Sequence, residues 1–348
     1  MAIDLTTKKI RRILVIKWSA MGDVVIATTV IEDLRRAFPE AQIDLNTLPP
    51  WQRLFEGDER FGRVFTVDLR GKQRGLRGKL QWLREVRAGK YDLVVDLQAS
   101  DHTRIMLSML WLSGRQIPWR IGNNRQFPYN IQPEELEKPV HVIRQMRSAL
   151  NSGGIPTETT HPVLHVSEQN RVNVERIQQE HNLEPGGYAL FMPGCQAAGY
   201  LKRWGAERYA ELSKLLAEKG ISKSLIIGGP DEMGECEKLA ALAPETTINL
   251  CGKTEIIDIV PLTEGARFVV ANDTGTAHVA AAANRPMLIV CGPTNPVRVV
   301  PVGEQVEAIE LDLECMYCYC KHECDHHSCM VGITPEMVLD RLGLMGVV

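Results

Sequence analysis

The stretch "ILVIKWSAMGDVVIATTVIEDLRRAFP", residues 13–39, decides the fold. Its first four residues are apolar without alternation, the pattern of a strand buried on both faces of a parallel sheet. Residues 17–23 interrupt that run with small and charged side chains. From 24 to 38 the apolar residues return with helical recurrence, and Pro39 stops them. Strand, tight turn and helix in this order form the first half of a βαβ unit. Asp23 stands at the junction beside Gly22. Read locally, it is a helix N-cap in a turn that the glycine eases.

The same alternation continues along the chain. Strands are expected at 42–45, 63–68 and 91–96, with helices at 76–88, 103–112 and 140–151. A Pro/Gly/Thr-rich and then helical stretch follows at 155–185. Beyond it come strands at 188–192, 224–227, 247–250, 268–271 and 287–290, with helices at 206–219, 232–242, 256–264 and 276–283. The expected class is α/β, with two Rossmann-like domains whose parallel sheets face a central cleft. The expected division is an N-terminal domain over 1–165, a linker over 166–185, and a C-terminal domain over 186–330. A last helix over 331–348 would pack back on the N-terminal domain.

At 348 residues the chain is long enough for two cores. The halves differ in charge. Residues 1–150 carry 25 basic and 17 acidic side chains, and residues 151–348 carry 15 and 26. The first half therefore suits an anionic partner, although two differently charged surfaces need mean no more than solubility. The basic residues concentrate at 69–90, where eight face a single acid, Glu85. That patch would favour an anionic membrane surface. Its plainer reading is a solvated helix face, with Trp82 and Leu83 either core or membrane-facing. No nucleic-acid motif accompanies the charge, so no nucleic-acid partner is expected. No apolar run reaches the ~20 residues of a membrane span, and the first residues lack the apolar core of a signal peptide. The expected location is cytoplasmic, with peripheral contact with the inner membrane.

Three polar clusters follow strands in the second half, where α/β sheets bind ligands. In "FVVANDTGTAHVAAAA", residues 268–283, Asp273, Thr274, Gly275 and Thr276 open an Ala-rich helix. The threonines can cap its amides, Gly275 admits close approach, and the free N–H groups favour a phosphate. His278 lies within reach of the same anion. In "FMPGCQAAGYLKRW", residues 191–204, Lys202 can meet a phosphate from another side. In "IIGGPDE", residues 226–232, Asp231 and Glu232 stand where ribose hydroxyls bind. The plainer readings are a capped helix with a core histidine and a solvated helix start. No Walker loop or GxGxxG spacing is present, which weakens NTPase and dinucleotide-oxidoreductase readings.

Taken together, residues 13–39, 191–204, 226–232, 268–296 and 315–338 resemble the ADP-heptose:lipopolysaccharide heptosyltransferases, glycosyltransferase family 9. The resemblance covers nearly the whole chain and implies a GT-B fold. It implies an ADP-heptose donor held by the C-terminal domain and an anionic, lipid-linked saccharide acceptor, the lipopolysaccharide inner core, held by the N-terminal domain. It makes Asp23 the catalytic carboxylate and Lys202 the lysine on the donor phosphates. Asp273, Thr274, Gly275 and His278 become the phosphate loop, and Glu232 or its neighbour Asp231 the acid on the ribose. On the acceptor side it implies Ser19, Arg70, Lys72, Arg74, Arg77, Lys79, Gln98 and Arg120. No cofactor is implied for catalysis. The chain departs from the family at Ala20, where a second serine is common, and at Ala99, where glycine is common. Both positions bear on the acceptor. Rival readings are a family member with another acceptor, a GT-B-like sugar-nucleotide epimerase, and a non-catalytic nucleotide-binding module.

Five of nine cysteines fall between 315 and 329. Cys315, Cys318, Cys324 and Cys329, with Cys320, His322, His326 and His327 among them, could hold a structural Zn²⁺ or iron. The alternative is a compact loop of reduced thiols.

Overall fold

Strand β1, Arg12–Ile16, is buried along four of its five residues, and the first sheet is built outward from it. In a computed structural model, residues 3–68, 71, 73–98, 100–114, 116–122, 126–195, 197–319 and 324–348 are described. Contacts divide the chain into two units, Met1–His165 and Val166–Val348.

In the first unit β1 is followed by α1 (Met21–Ala37), β2 (Gln42–Thr47), β3 (Phe61–Thr66), α2 (Leu76–Ala88), β4 (Leu93–Asp96), α3 (Asp101–Leu112), β5 (Trp119–Gly122) and α4 (Val142–Asn151). The strands lie in the order β3-β2-β1-β4-β5, and every pairing is parallel. Leu14, Ile16 and Val94 cluster with Trp82, Val86, Met106 and Leu110, so α2 and α3 cover one face. Successive strand residues point to opposite faces. Ile13 and Val15 are thereby left to the side of α1 and α4, which pack on each other. The order reverses at β1, with β2 on one side and β4 on the other. The loops leaving β1 and β4 therefore meet at the carboxyl edge, the topological switch point of such sheets.

One buried polar residue organises this core. The side-chain oxygen of Asn46, at the end of β2, accepts the indole N–H of both Trp18 and Trp82, each at 2.8 Å. Its amide donates to the Phe65 carbonyl at 3.1 Å. Trp82 is thus core, not membrane-facing, and its burial follows from the helical spacing of Gly78, Trp82 and Val86.

The second unit contains α5 (Glu168–Glu180), β6 (Tyr188–Met192), α6 (Ala206–Glu218), β7 (Lys223–Ile226), α7 (Met233–Leu242), β8 (Thr247–Asn249), α8 (Ile259–Gly265), β9 (Phe268–Asn272), α9 (Gly275–Ala280), β10 (Met287–Val290), α10 (Pro296–Val299), β11 (Val306–Ile309), α11 (Ser328–Val331) and α12 (Pro335–Leu344). Its strand order is β11-β10-β9-β6-β7-β8, again parallel throughout. Here the order reverses between β6 and β9, and the loops leaving those strands meet.

Two expectations change. Most of the stretch read as a linker is α5, which belongs to the second unit. Asn170 bonds Asp258 at 2.8 Å and Arg171 pairs with Glu264 at 2.9 Å. The last helix, α12, packs on α6 of its own unit. Val338, Leu342 and Val347 lie in one cluster with Tyr209, Leu212 and Leu216, instead of leaving for the N-terminal domain. Among the described residues no helix is long and apolar enough to cross a membrane.

Candidate active site

Helix α1 begins at Met21, earlier than the sequence pattern indicates, and its N-cap, Ala20, supplies no side-chain bond. Asp23 is therefore not a cap but a first-turn residue, and Gly22 lies inside that turn. An acid in the first turn is favoured by the free amides there. One Asp23 oxygen lies 3.3 Å from the Lys17 ammonium. The two groups differ sharply in exposure: the Asp23 side chain is 41% exposed and that of Lys17 3%. Burial pushes the Lys17 ammonium below its ordinary value, and Asp23 and then Asp96 oppose that shift.

The loop carrying these residues is clamped from the next strand. Gln98 lies just past β4. Its carbonyl accepts the backbone N–H of Trp18 at 2.9 Å and of Ser19 at 3.0 Å, and its amide reaches the Ser19 hydroxyl at 3.4 Å. Asp96, fully buried, accepts the Gln98 N–H at 2.9 Å and the Tyr129 hydroxyl at 2.5 Å. Burial, followed by the Asp96 charge, pushes the Tyr129 phenol far up. Ser19 and Gln98 thus meet on the loop that leads to Asp23.

The basic residues are less gathered. Arg74 and Arg77 are exposed and Lys79 is half-buried, and none has an ion-pair partner among the described residues. Arg70 and Lys72 lie outside the described residues. Exposed Leu76 and Leu80 share their helix. Arg120 is committed elsewhere. Its guanidinium donates to the carbonyls of Pro128 at 2.5 Å, Pro118 at 3.3 Å and Ile117. It braces the 117–130 loop. A cavity of about 600 Å³ lined by Asp4, Glu134, Arg144 and Arg147 contains none of the candidate residues.

In the second unit the switch point brings the β6 and β9 loops together. Lys202 donates to Asp273 at 2.7 Å, and the Thr294 hydroxyl donates to the same oxygen at 3.1 Å. Asp273 therefore holds the lysine. Thr274 occupies the N-cap of α9 but makes no side-chain cap bond, contrary to the capping expectation. Its hydroxyl bonds Glu232 instead. Helix α9 has only six residues, fewer than the Ala-rich pattern suggests. Anion affinity there rests on the Gly275 and Thr276 amides more than on a long dipole. His278 is buried one turn in.

The two acids after β7 differ in burial. Glu232 turns inward and accepts the Gly229 N–H at 2.7 Å, while Asp231 is exposed. A Cβ at position 194 would lie 2.5 Å from the Glu232 side chain, so only glycine admits Glu232 there. Burial pushes the Glu232 carboxyl above its ordinary range, against the pull of the Gly229 amide.

Three features escaped the sequence reading. Asn272, fully buried, ties the loops together. Its amide donates to the Pro193 carbonyl and its oxygen accepts the Trp204 N–H at 3.3 Å and the Tyr209 hydroxyl at 3.2 Å. The Arg203 Nε and the Thr276 hydroxyl are buried without partners among the described residues. The Cys-rich segment braces the Lys202 loop: His327 bonds the Leu201 carbonyl at 2.6 Å, and the Trp204 indole donates to Ile333 at 2.8 Å.

The four cysteines of the expected set differ in burial. Cys315 and Cys318 are exposed, Cys324 is half-buried and Cys329 is buried. No three such ligands converge among the described residues, and Cys320 and His322 lie outside them. Cys329 packs in the apolar cluster with Met330, and burial raises its thiol.

Residues 80–328 match the sequence profile of glycosyltransferase family 9 (heptosyltransferase). Lipooligosaccharide heptosyltransferase 2 of Haemophilus ducreyi is 27% identical, covering 95% of this chain and 98% of that protein. The solved Escherichia coli ADP-heptose lipopolysaccharide heptosyltransferase II superposes with a TM-score of 0.72 at 25% identity, over 96% of this chain and 98% of that one. A glycosyltransferase family 9 structure from Veillonella parvula superposes with a TM-score of 0.81 at 21% identity, over 99% and 98%.

Proposed function

We propose a function from one premise: the chain belongs to glycosyltransferase family 9, the heptosyltransferases. It transfers a heptose from ADP-heptose to the lipopolysaccharide inner core, with inversion and with Asp23 as general base. The observation that carries this reading is the pairing of Lys202 with Asp273 at the second sheet's switch point, beside the unpartnered Thr276 and Arg203 donors. Such a site favours a pyrophosphate over a neutral ligand. The names of the relatives, which act on lipopolysaccharide or lipooligosaccharide, support the acceptor class.

The chemistry is a single displacement. Asp23 takes the proton of the acceptor hydroxyl as its oxygen bonds the anomeric carbon, and the bond from that carbon to ADP breaks on the opposite face. Lys202 and the α9 amides hold the negative charge that develops on the leaving diphosphate. Glu232 is placed to accept from the donor's ribose hydroxyls. The exposed basic and apolar side chains of α2 support contact with the anionic cytoplasmic face of the inner membrane.

The test supplies ADP-heptose with a Kdo-lipid A or heptosylated acceptor and follows ADP release. Asp23→Asn is expected to lower kcat ~10²- to 10⁴-fold, the usual contribution of a general base, with ADP binding retained. Wild-type ADP release by that variant removes Asp23 from the mechanism. Failure of the wild type on every Kdo-containing acceptor removes the acceptor assignment.

A further inference from the structure

Lys17 is the first residue beyond β1, next to the point where Ile16 pairs with Asp96. Its backbone is fixed, since its N–H donates to the Asn46 carbonyl at 3.0 Å. Its side chain is almost wholly buried, yet its ammonium ends 3.3 Å from the half-exposed Asp23 carboxylate. Burying an ammonium without a partner is strongly unfavourable. A lysine held inside at that cost, with its charge aimed at the candidate base, calls for a role. The strands and loops around it are fully engaged. Both oxygens of Asp96 already accept, from Gln98 and from Tyr129, and Gln98 in turn holds the loop between Lys17 and Asp23. Asp23 itself has no such frame. It lies on the first turn of α1 with its side chain 41% exposed, and Lys17 is its one described hydrogen-bond donor.

We propose that Lys17 is the positioning residue of the base: its buried ammonium holds one carboxylate oxygen of Asp23, so that the other faces the acceptor hydroxyl. Lysine suits this better than arginine, because a compact charge on a flexible stem makes a single directed contact. Lys17 does not touch substrate. The proposal rests on Asp23 being the base, and it adds that the carboxylate is productive only while it is held.

The experiment measures kcat and both KM values for Lys17→Met, Asp23→Asn and the double variant, with tryptophan fluorescence melts as the check on folding. Lys17→Met is expected to lower kcat ~10²-fold, the scale of a misplaced reacting group, with donor and acceptor KM unchanged. The double variant is expected to be no slower than Asp23→Asn, because Lys17 acts only through that carboxylate. If Lys17→Met does not fold, Lys17→Leu replaces it under the same criteria, since it likewise offers no donor to Asp23. Wild-type kcat in the Lys17 variant, with Asp23→Asn impaired, overturns the positioning role and leaves the base intact. So does a double variant slowed by the product of the two single effects. Wild-type kcat in Asp23→Asn overturns the base assignment itself.

Discussion

Replacing Asn46 with alanine should unfold the first unit well before the second. Asn46 is fully buried and serves three groups: the indoles of Trp18 and Trp82 at 2.8 Å and the Phe65 carbonyl at 3.1 Å. Removing one partner leaves each of the others desolvated and unpaired, at about 1–3 kcal/mol apiece. The three share one side chain, so they are not additive. Taking the lower half of the range, the loss is ~3–4 kcal/mol. For a unit of this size each kcal/mol shifts the melting midpoint by about 2–4 °C, a fall of roughly 6–15 °C. Five of the six tryptophans, at 18, 51, 82, 111 and 119, lie in the first unit, so intrinsic fluorescence reports chiefly on it. Asn46→Leu separates the causes. It fills the space but satisfies none of the three groups, so it should melt close to Asn46→Ala. A leucine variant as stable as wild type, or an alanine variant within 1 kcal/mol of it, would refute the hydrogen-bond account in favour of simple packing. Since Trp18 opens the loop that carries Asp23, Asn46→Ala should also lower kcat at temperatures where the protein is still folded.

Two other perturbations test the second unit. Lys202→Met removes the charge poised at the switch point and should weaken ADP binding ~10- to 100-fold by calorimetry, the size of one hydrogen bond to a charged group; an unchanged Kd would exclude Lys202 from the phosphates. Glu232→Gln tests the raised carboxyl. A carboxyl raised in the fold favours the folded state while protonated and loses that contribution as pH rises through its folded value. The neutral glutamine should therefore melt above wild type at pH 8, with the gap closing as pH falls towards the ordinary carboxyl value of 4.5, while donor KM rises. A gap independent of pH would assign the effect to packing.

Much of the framework was legible residue by residue. The continuous apolar runs at 13–16, 188–192 and 287–290 are strands because a parallel strand buried on both faces leaves no polar alternation. The edge strands Trp119–Gly122 and Val306–Ile309 were missed. Each is four residues long and partly exposed, and neither has the β-branched run that marks a central strand. Their pairing partners, β4 and β10, create them. The pattern places the start of α1 at Val24, because Asp23 reads as an N-cap and Gly22 as a turn, whereas the helix begins at Met21. The Cys-rich segment left a metal site and a loop of reduced thiols both open, since composition cannot show that Cys329 is buried and Cys315 exposed.

The sequence by itself determined the α/β class, the alternation of strands and helices, and the strand ends from which Asp23, Lys202, Asp273 and Glu232 emerge. These are local properties, set by side-chain periodicity and by glycine and proline. Tertiary structure alone decided which of those residues meet. Lys17 and Asp23 stand six residues apart and still pair only because one is buried beneath the other's helix. Lys202 and Asp273 are 71 residues apart and meet because β6 and β9 are neighbours. Strand order and register are nonlocal, decided by the burial of whole faces. A chemistry that needs two side chains within 3 Å is therefore written in the fold and not in any one stretch of the chain.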